Sequence, residues 1–190
     1  MKTLTTLIVA LGLLVTSPSL YAQKSEMNVT DSKITWTGKK VTGSHTGHIK
    51  LLSGFLEKSG EDFVSGKFVV DMTSISNQDI DDPETKAKLV GHLKSDDFFS
   101  VDKYPTATLL IESGEKTGAD NYKFTGKLTI KGNTNPVSFE AKADGKSFNG
   151  KLVVDRAKYD VRYGSDSFFD NLGDKMIYDD FELEFQVTFE

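Results

Sequence analysis

Cysteine is absent from the whole 190-residue chain. This excludes disulfide staples, thiol nucleophiles and thiolate-held metals. A core must therefore carry the stability, and the about 168 residues that follow a leader are enough to build one. Nucleotide and hydrolase signatures are missing too: there is no G-x-x-x-x-G-K-[ST] loop and no G-x-S-x-G elbow. Positive charge is in the minority. The formal net charge is −5, and removal of Lys2 with a leader makes it −6. A chain with that balance is a poor match for nucleic acid or an anionic lipid surface. Beyond the first 22 residues no apolar run is long enough to cross a bilayer, so stable membrane insertion is not expected.

Residues 1–22 read as a secretory leader. Lys2 supplies the positive start, Leu7 to Val15 a short apolar segment, and Ser17-Pro18-Ser19-Leu20-Tyr21-Ala22 a small-residue cleavage region. Cleavage is expected after Ala22, giving a soluble periplasmic or secreted protein. No cysteine follows the apolar segment to carry a lipid anchor. Residues 23–190 then form one domain.

Most of this domain alternates with a period of two. Phe181, Leu183, Phe185, Val187 and Phe189 share one face, with Glu182, Glu184, Gln186, Thr188 and Glu190 on the other. Tyr122, Phe124, Leu128 and Ile130 alternate with lysines and threonines. A helix, with period 3.6, could not sort residues this way. Further strands are predicted over Ile34–Thr37, Gly47–Glu57, Phe63–Met72, Thr106–Ser113, Asn135–Asp144 and Phe148–Asp155. Turn residues such as Lys131-Gly132-Asn133 and Asp144-Gly145-Lys146 separate them, so neighbours in sequence should pair antiparallel. Eight strands with one apolar and one charged face imply one interior, and the fold class predicted is all-β, an extended eight-stranded antiparallel barrel.

Two segments break the pattern. Asp82–Lys94 reads as a short helix, with Asp82 as cap, Pro83 in the first turn and a Glu84/Lys88 pair. Lys158–Lys175 reads as a long loop with one helical turn at Ser167–Leu172. Both are expected near one barrel end. The stretch Leu89–Pro105 joins the helix to Phe98-Phe99 and Tyr104-Pro105, and is expected to close that end as an apolar lid.

Catalytic readings are weak. His45 and His48, three apart on a strand, point to opposite faces, and no Asp or Glu stands near enough in sequence to complete a metal set. His92, Ser95 and Asp96 have the residue types of a triad but crowd a helix end, where Ser and Asp cap and turn. Asp166, Asp170 and Asp174 are spaced for calcium but lack the EF-hand pattern. The 13 phenylalanines are the stronger signal. They either fill the barrel or line a channel left by small inward residues: Ala107, Gly126, Ala141, Ala143 and Gly150.

Gly91–Leu109 (GHLKSDDFFSVDKYPTATL) and Gly126–Ala141 (GKLTIKGNTNPVSFEA) resemble the YceI-like family of exported polyisoprenoid-binding proteins. The segments Asp31–Trp36, Gly66–Ile75 and Asp155–Tyr159 support the resemblance, which covers nearly the whole mature chain. It implies a lipocalin-like barrel whose hydrophobic tunnel sequesters or carries an isoprenoid-chain amphiphile of the polyprenyl phosphate or quinone type. The lining it implies is Trp36, Phe68, Val70, Leu89, Leu93, Phe98, Phe99, Leu109, Ile111, Phe124, Leu128, Phe139, Leu152 and Leu183, with Arg156, Lys94 and Tyr104 as candidates for a head group at the mouth. No catalytic residue and no cofactor are expected; the partner is the isoprenoid lipid, with a homodimer as the other expected association. The alternative is a stress-related or structural envelope module with a packed barrel that binds a protein partner.

Overall fold

The computed structural model describes residues 22–60 and 62–190, so the expected leader lies outside the described residues except for Ala22. Eight strands follow one another: β1 (Gln23–Lys40), β2 (Gly43–Ser59), β3 (Asp62–Asp71), β4 (Thr106–Lys116), β5 (Asn121–Ile130), β6 (Asn133–Asp144), β7 (Ser147–Asp155) and β8 (Ile177–Phe189). Each pairs antiparallel with the next, and β8 returns to β1, closing the barrel. In this up-and-down order alternate connections fall at the same end. The β1–β2, β3–β4, β5–β6 and β7–β8 links therefore cluster together. The two long ones are among them: β3–β4 carries the helix α1 (Pro83–Lys94), and β7–β8 carries the 3-10 turns Arg156–Tyr159 and Gly173–Lys175. The long loop and the helix thus cover one end, as the sequence indicated.

Strand β1 is far longer than Ile34–Thr37. Its first half carries too few apolar residues to show alternation, and only Met27 there is buried. Barrel closure holds it instead, through Glu26 opposite Phe55 and Met27 opposite Phe189. The helical turn expected at Ser167–Leu172 is not there. The Ser165 carbonyl accepts from the amides of Phe168 (3.2 Å) and Phe169 (3.0 Å), and then Asn171 adopts a left-handed φ of 58°, which ends any helix. The regular turn falls later, at Gly173–Lys175.

The core lies along the barrel axis. At the end away from α1, rings from alternate strands close the cross-section: Phe63 meets Tyr122 and Phe148 edge-on at 5.4 Å each, and Phe148 meets Phe124 at 5.7 Å. This is the geometry that aromatic quadrupoles favour. The small inward residues do not leave a channel there. Phe68 lies over Gly54, Phe124 over Gly114 and Phe185 over Gly150, while Gly126 lets the Leu110 carbonyl come close.

Candidate functional site

The end carrying α1 is built differently. Asp82 accepts from the Thr85 amide at 2.7 Å and Pro83 opens the first turn, fixing where the helix begins. Ser95 ends it: its amide donates to the Gly91 and His92 carbonyls and its hydroxyl donates to the His92 carbonyl at 2.8 Å. The chain then folds back on the helix end. Phe99 donates to the Leu93 carbonyl (3.2 Å) and Val101 to that of Lys94 (2.9 Å), with the buried Ser100 at a φ of 47°. This knot drives Phe98 and Phe99 inward beneath the helix. No residue of α1 itself is buried. The helix is a lid resting on its Leu89 and Leu93 edge.

Three ties hold the lid. The indole of Trp36 donates to the Ser76 carbonyl at 3.0 Å, and the Ser76 and Gln78 amides donate to the His48 and Thr46 carbonyls, binding the β3–α1 link to the mouth of β2. His92 lies edge-on to Phe98 (5.0 Å) and to Tyr163 of the β7–β8 loop (4.4 Å), so the two long links meet at this imidazole. The third is Arg156, only 3% exposed, whose guanidinium lies over the Phe98 ring at 5.8 Å. Its guanidinium donates to the carbonyls of Val161 (2.9 Å), Tyr163 (2.8 Å), Ile177 (2.9 Å) and Tyr178 (3.2 Å). It also lies 3.2 Å from Asp179 Oδ1, close enough for an ion pair but out of line for a hydrogen bond; among the described residues that buried oxygen has no hydrogen-bond donor. Burial pulls the guanidinium pKa down, opposed by the charge of Asp179. Asp179 Oδ2 accepts from Ser165 (2.9 Å) and Ser167 (2.6 Å), completing a polar network that shapes the loop.

Beneath the lid is an apolar cavity of about 180 Å³. Of the residues expected to line a tunnel, Trp36, Leu89, Leu93, Phe98 and Phe99 surround it. A second cavity of about 90 Å³ lies deeper, walled by Phe68, Leu109, Ile111, Phe124, Phe139 and Leu152. Val70, Leu128 and Leu183, with Ile34, border both, so a ring drawn from β1, β3, β5 and β8 forms a neck between two compartments of one interior. Ile34, Ile130 and Phe181 join the lining in phase with Trp36, Leu128 and Leu183, and alternation could have added them. Ile75 also joins it, from the irregular link, where no periodic signal existed.

The head-group candidates fare unequally. Arg156 lines the larger cavity but spends its donors on backbone carbonyls and Asp179. Lys94 and Tyr104 do not border it. His92, Ser95 and Asp96 do not assemble: Asp96 pairs with Lys103 at 2.9 Å, and the nearest carboxylate to His92 is that of Asp97 at 3.7 Å. His45 and His48 do face apart. His48 meets the Thr35 hydroxyl (3.2 Å), and burial, then the charge of Lys33, lowers its pKa. His45 finds a carboxylate that sequence distance concealed, Asp79 at 3.2 Å. Burial works to raise the pKa of Asp79, but hydrogen bonds from Asn77 and His45 outweigh it and leave it lowered. Among the described residues no three His, Asp or Glu side chains converge as a metal site, Asp166, Asp170 and Asp174 included. A wider hollow of about 450 Å³ lies outside the lid, but its Lys131, Arg162 and Lys175 are matched by Asp96, Asp97 and Asp160 around open solvent. No described helix is long and apolar enough to cross a membrane.

Protein YceI of Escherichia coli is 47% identical over 55 residues, 29% of this chain and 28% of that protein. A UPF0312 protein of Azotobacter vinelandii is 30% identical over 104 residues, 54% of each. The chain thus matches from under a third to about half the length of these relatives. BcnA of Burkholderia cenocepacia has a similar fold, with a TM-score of 0.68 at 23% identity, covering 85% of this chain and 98% of that one. So does a polyisoprenoid binding domain from Saccharophagus degradans, with a TM-score of 0.61 at 18% identity over 90% and 99% of the two chains. The family model of the YceI-like domain matches residues 26–189, and the chain belongs to that family.

Proposed function

We propose that this protein binds an isoprenoid-chain amphiphile, of the polyprenyl phosphate or quinone type, and sequesters or carries it outside the cytoplasm. The observation that carries the reading is the pair of apolar cavities joined at the Ile34, Val70, Leu128 and Leu183 neck beneath a helix with no buried residue. The polyisoprenoid binding domain of similar fold supports it, and the leader read in residues 1–22 supports export. Burying an apolar tail gains about 25 cal/mol per Å² and needs no reacting group. Volume sets a condition. A cavity of roughly 150 Å³ accommodates benzene, so the upper compartment takes about one isoprene unit. A longer tail enters by displacing the lid and the neck side chains. Native mass spectrometry and organic extraction of protein taken from its own host compartment should recover an isoprenoid. Protein that carries none and refuses added polyprenols and quinones refutes the reading.

One feature favours a second reading, a packed barrel that binds a protein partner: Tyr163, Phe168, Phe169 and Tyr178 are exposed together around the β7–β8 loop. Recovery of one partner from pull-downs, unchanged after delipidation, would support it.

A further inference from the structure

The wall of the larger cavity changes character along one pair of strands. The β1–β2 register sets Ile34 opposite Ile49, Trp36 opposite Gly47, Gly38 opposite His45 and Lys40 opposite Gly43. Residues two apart share a face of the sheet, so Lys40 and His45 continue the inward surface begun by Ile34 and Ile49. Both border the cavity. The intervening Lys39 borders it too, but its ammonium is held by Glu182 at 2.8 Å. Lys40 is exposed and, among the described residues, makes no ion pair or side-chain hydrogen bond. His45 beside it is fixed by Asp79 at 3.2 Å, and Asn77 in turn bonds Asp79. Arg156, the remaining cation on this wall, has its donors spent on carbonyls and Asp179.

An unpaired ammonium on the inward phase, placed where the apolar wall ends, suits an anion whose apolar remainder lies deeper. We infer that Lys40, flanked by His45, is the subsite for the phosphate head group of an isoprenoid amphiphile, which enters tail first and stays with its head at the β1–β2 rim. This rests on the tunnel reading and adds to it the sign of the head group and the residue that meets it. The ammonium supplies up to three donors, and a charge-assisted bond at a wet rim survives as a preference rather than an absolute requirement.

The test compares farnesyl phosphate with farnesol, which share a tail, by titrating the fluorescence of Trp36 in the full chain, in Lys40→Gln and in Lys39→Gln. The wild type should bind the phosphate about ten-fold tighter than the alcohol, the ratio expected of one charge-assisted bond. Lys40→Gln should abolish that ratio while leaving farnesol affinity within about two-fold, and Lys39→Gln should keep it, because its charge is already paired with Glu182. The preference should weaken as salt rises. Inorganic phosphate should fail to displace the amphiphile. A ratio unchanged in Lys40→Gln, with both compounds still binding, overturns the subsite and leaves the tunnel standing. Inorganic phosphate binding as tightly as farnesyl phosphate also overturns it, in favour of a free-anion site. A wild type that binds neither compound removes the tunnel reading and the subsite together.

Discussion

Filling the neck between the two cavities should convert a tunnel that rewards tail length into one that does not. Leu128 and Val70 border both compartments from β5 and β3, and Leu128 is 5% exposed. Enlarging both, as Val70→Phe with Leu128→Phe, places ring atoms between cavities of about 180 Å³ and 90 Å³. Overpacking a full core costs about 1–3 kcal/mol. Here the adjoining space should hold the cost near the lower figure, readable as a small fall in urea midpoint. The effect on binding should be larger. An isoprene unit brings five carbons, and at ~0.8 kcal/mol per buried carbon a unit passing the neck contributes at most about 4 kcal/mol, less the cost of ordering it and displacing side chains. Trp36 is the only tryptophan and lines the upper cavity, so it reports occupancy without a label. Isoprenoid alcohols of increasing length should bind the wild type more tightly with each unit, by about ten-fold or more per unit. The double variant should match the wild type for the shortest alcohol and then stay flat. If a folded double variant gains affinity with length as steeply as the wild type, the tail does not pass the neck and the reasoning fails.

Other consequences can be measured separately. Arg156→Ala strands four carbonyls and the buried Oδ1 of Asp179, so it should lower unfolding free energy by about 3–5 kcal/mol; a loss under about 1 kcal/mol would show that the loop does not depend on this clamp. Hydrogen bonds from Lys151 and then Lys39 hold the Glu182 carboxyl at about 2, below its ordinary value. A depressed carboxyl stabilises the fold above the unfolded pKa and loses that contribution as pH falls towards about 2. The difference in urea midpoint between wild type and Glu182→Gln should therefore be present at pH 6 and shrink between about pH 4.5 and 2; a difference independent of pH contradicts the pairing. With no buried residue in α1, amides of Leu89 to Leu93 should exchange with deuterium well before those of β4 and β5. Equal protection would mean that the helix is part of the barrel's cooperative unit and not a lid.

The strands were legible where one face met the core and the other met water. In β5, and in β8 from Phe181 onward, the alternation is unbroken, and pleat geometry leaves no other way to bury those phenylalanines. The α1 boundaries were legible from Asp82, Pro83 and Ser95, because capping is local chemistry between residues a few positions apart. The first half of β1 was not, since its pairing with β2 and β8 comes from barrel closure rather than from its own pattern. The same distinction separates the site residues. The period of two placed Trp36, Phe68, Leu109 and Leu128 on the interior, but no local rule could bring Asp79 to His45 across 34 positions or tell the buried Arg156 from a surface arginine.

By itself the sequence determined an all-β chain of eight amphipathic strands, a capped helix, and an interior of aliphatic and aromatic side chains. These follow from period, propensity and turn chemistry, which act over a few residues. Only the tertiary structure decided that the far end is plugged by Phe63, Tyr122, Phe124 and Phe148, that the space lies under α1, and that Arg156 is a clamp while Lys40 stands at the rim with no ion pair among the described residues. The reason is physical: barrel closure sets which inward residues share a level along the axis, and ring size, glycine placement and long-range polar pairing at each level decide whether that level is filled, open or charged.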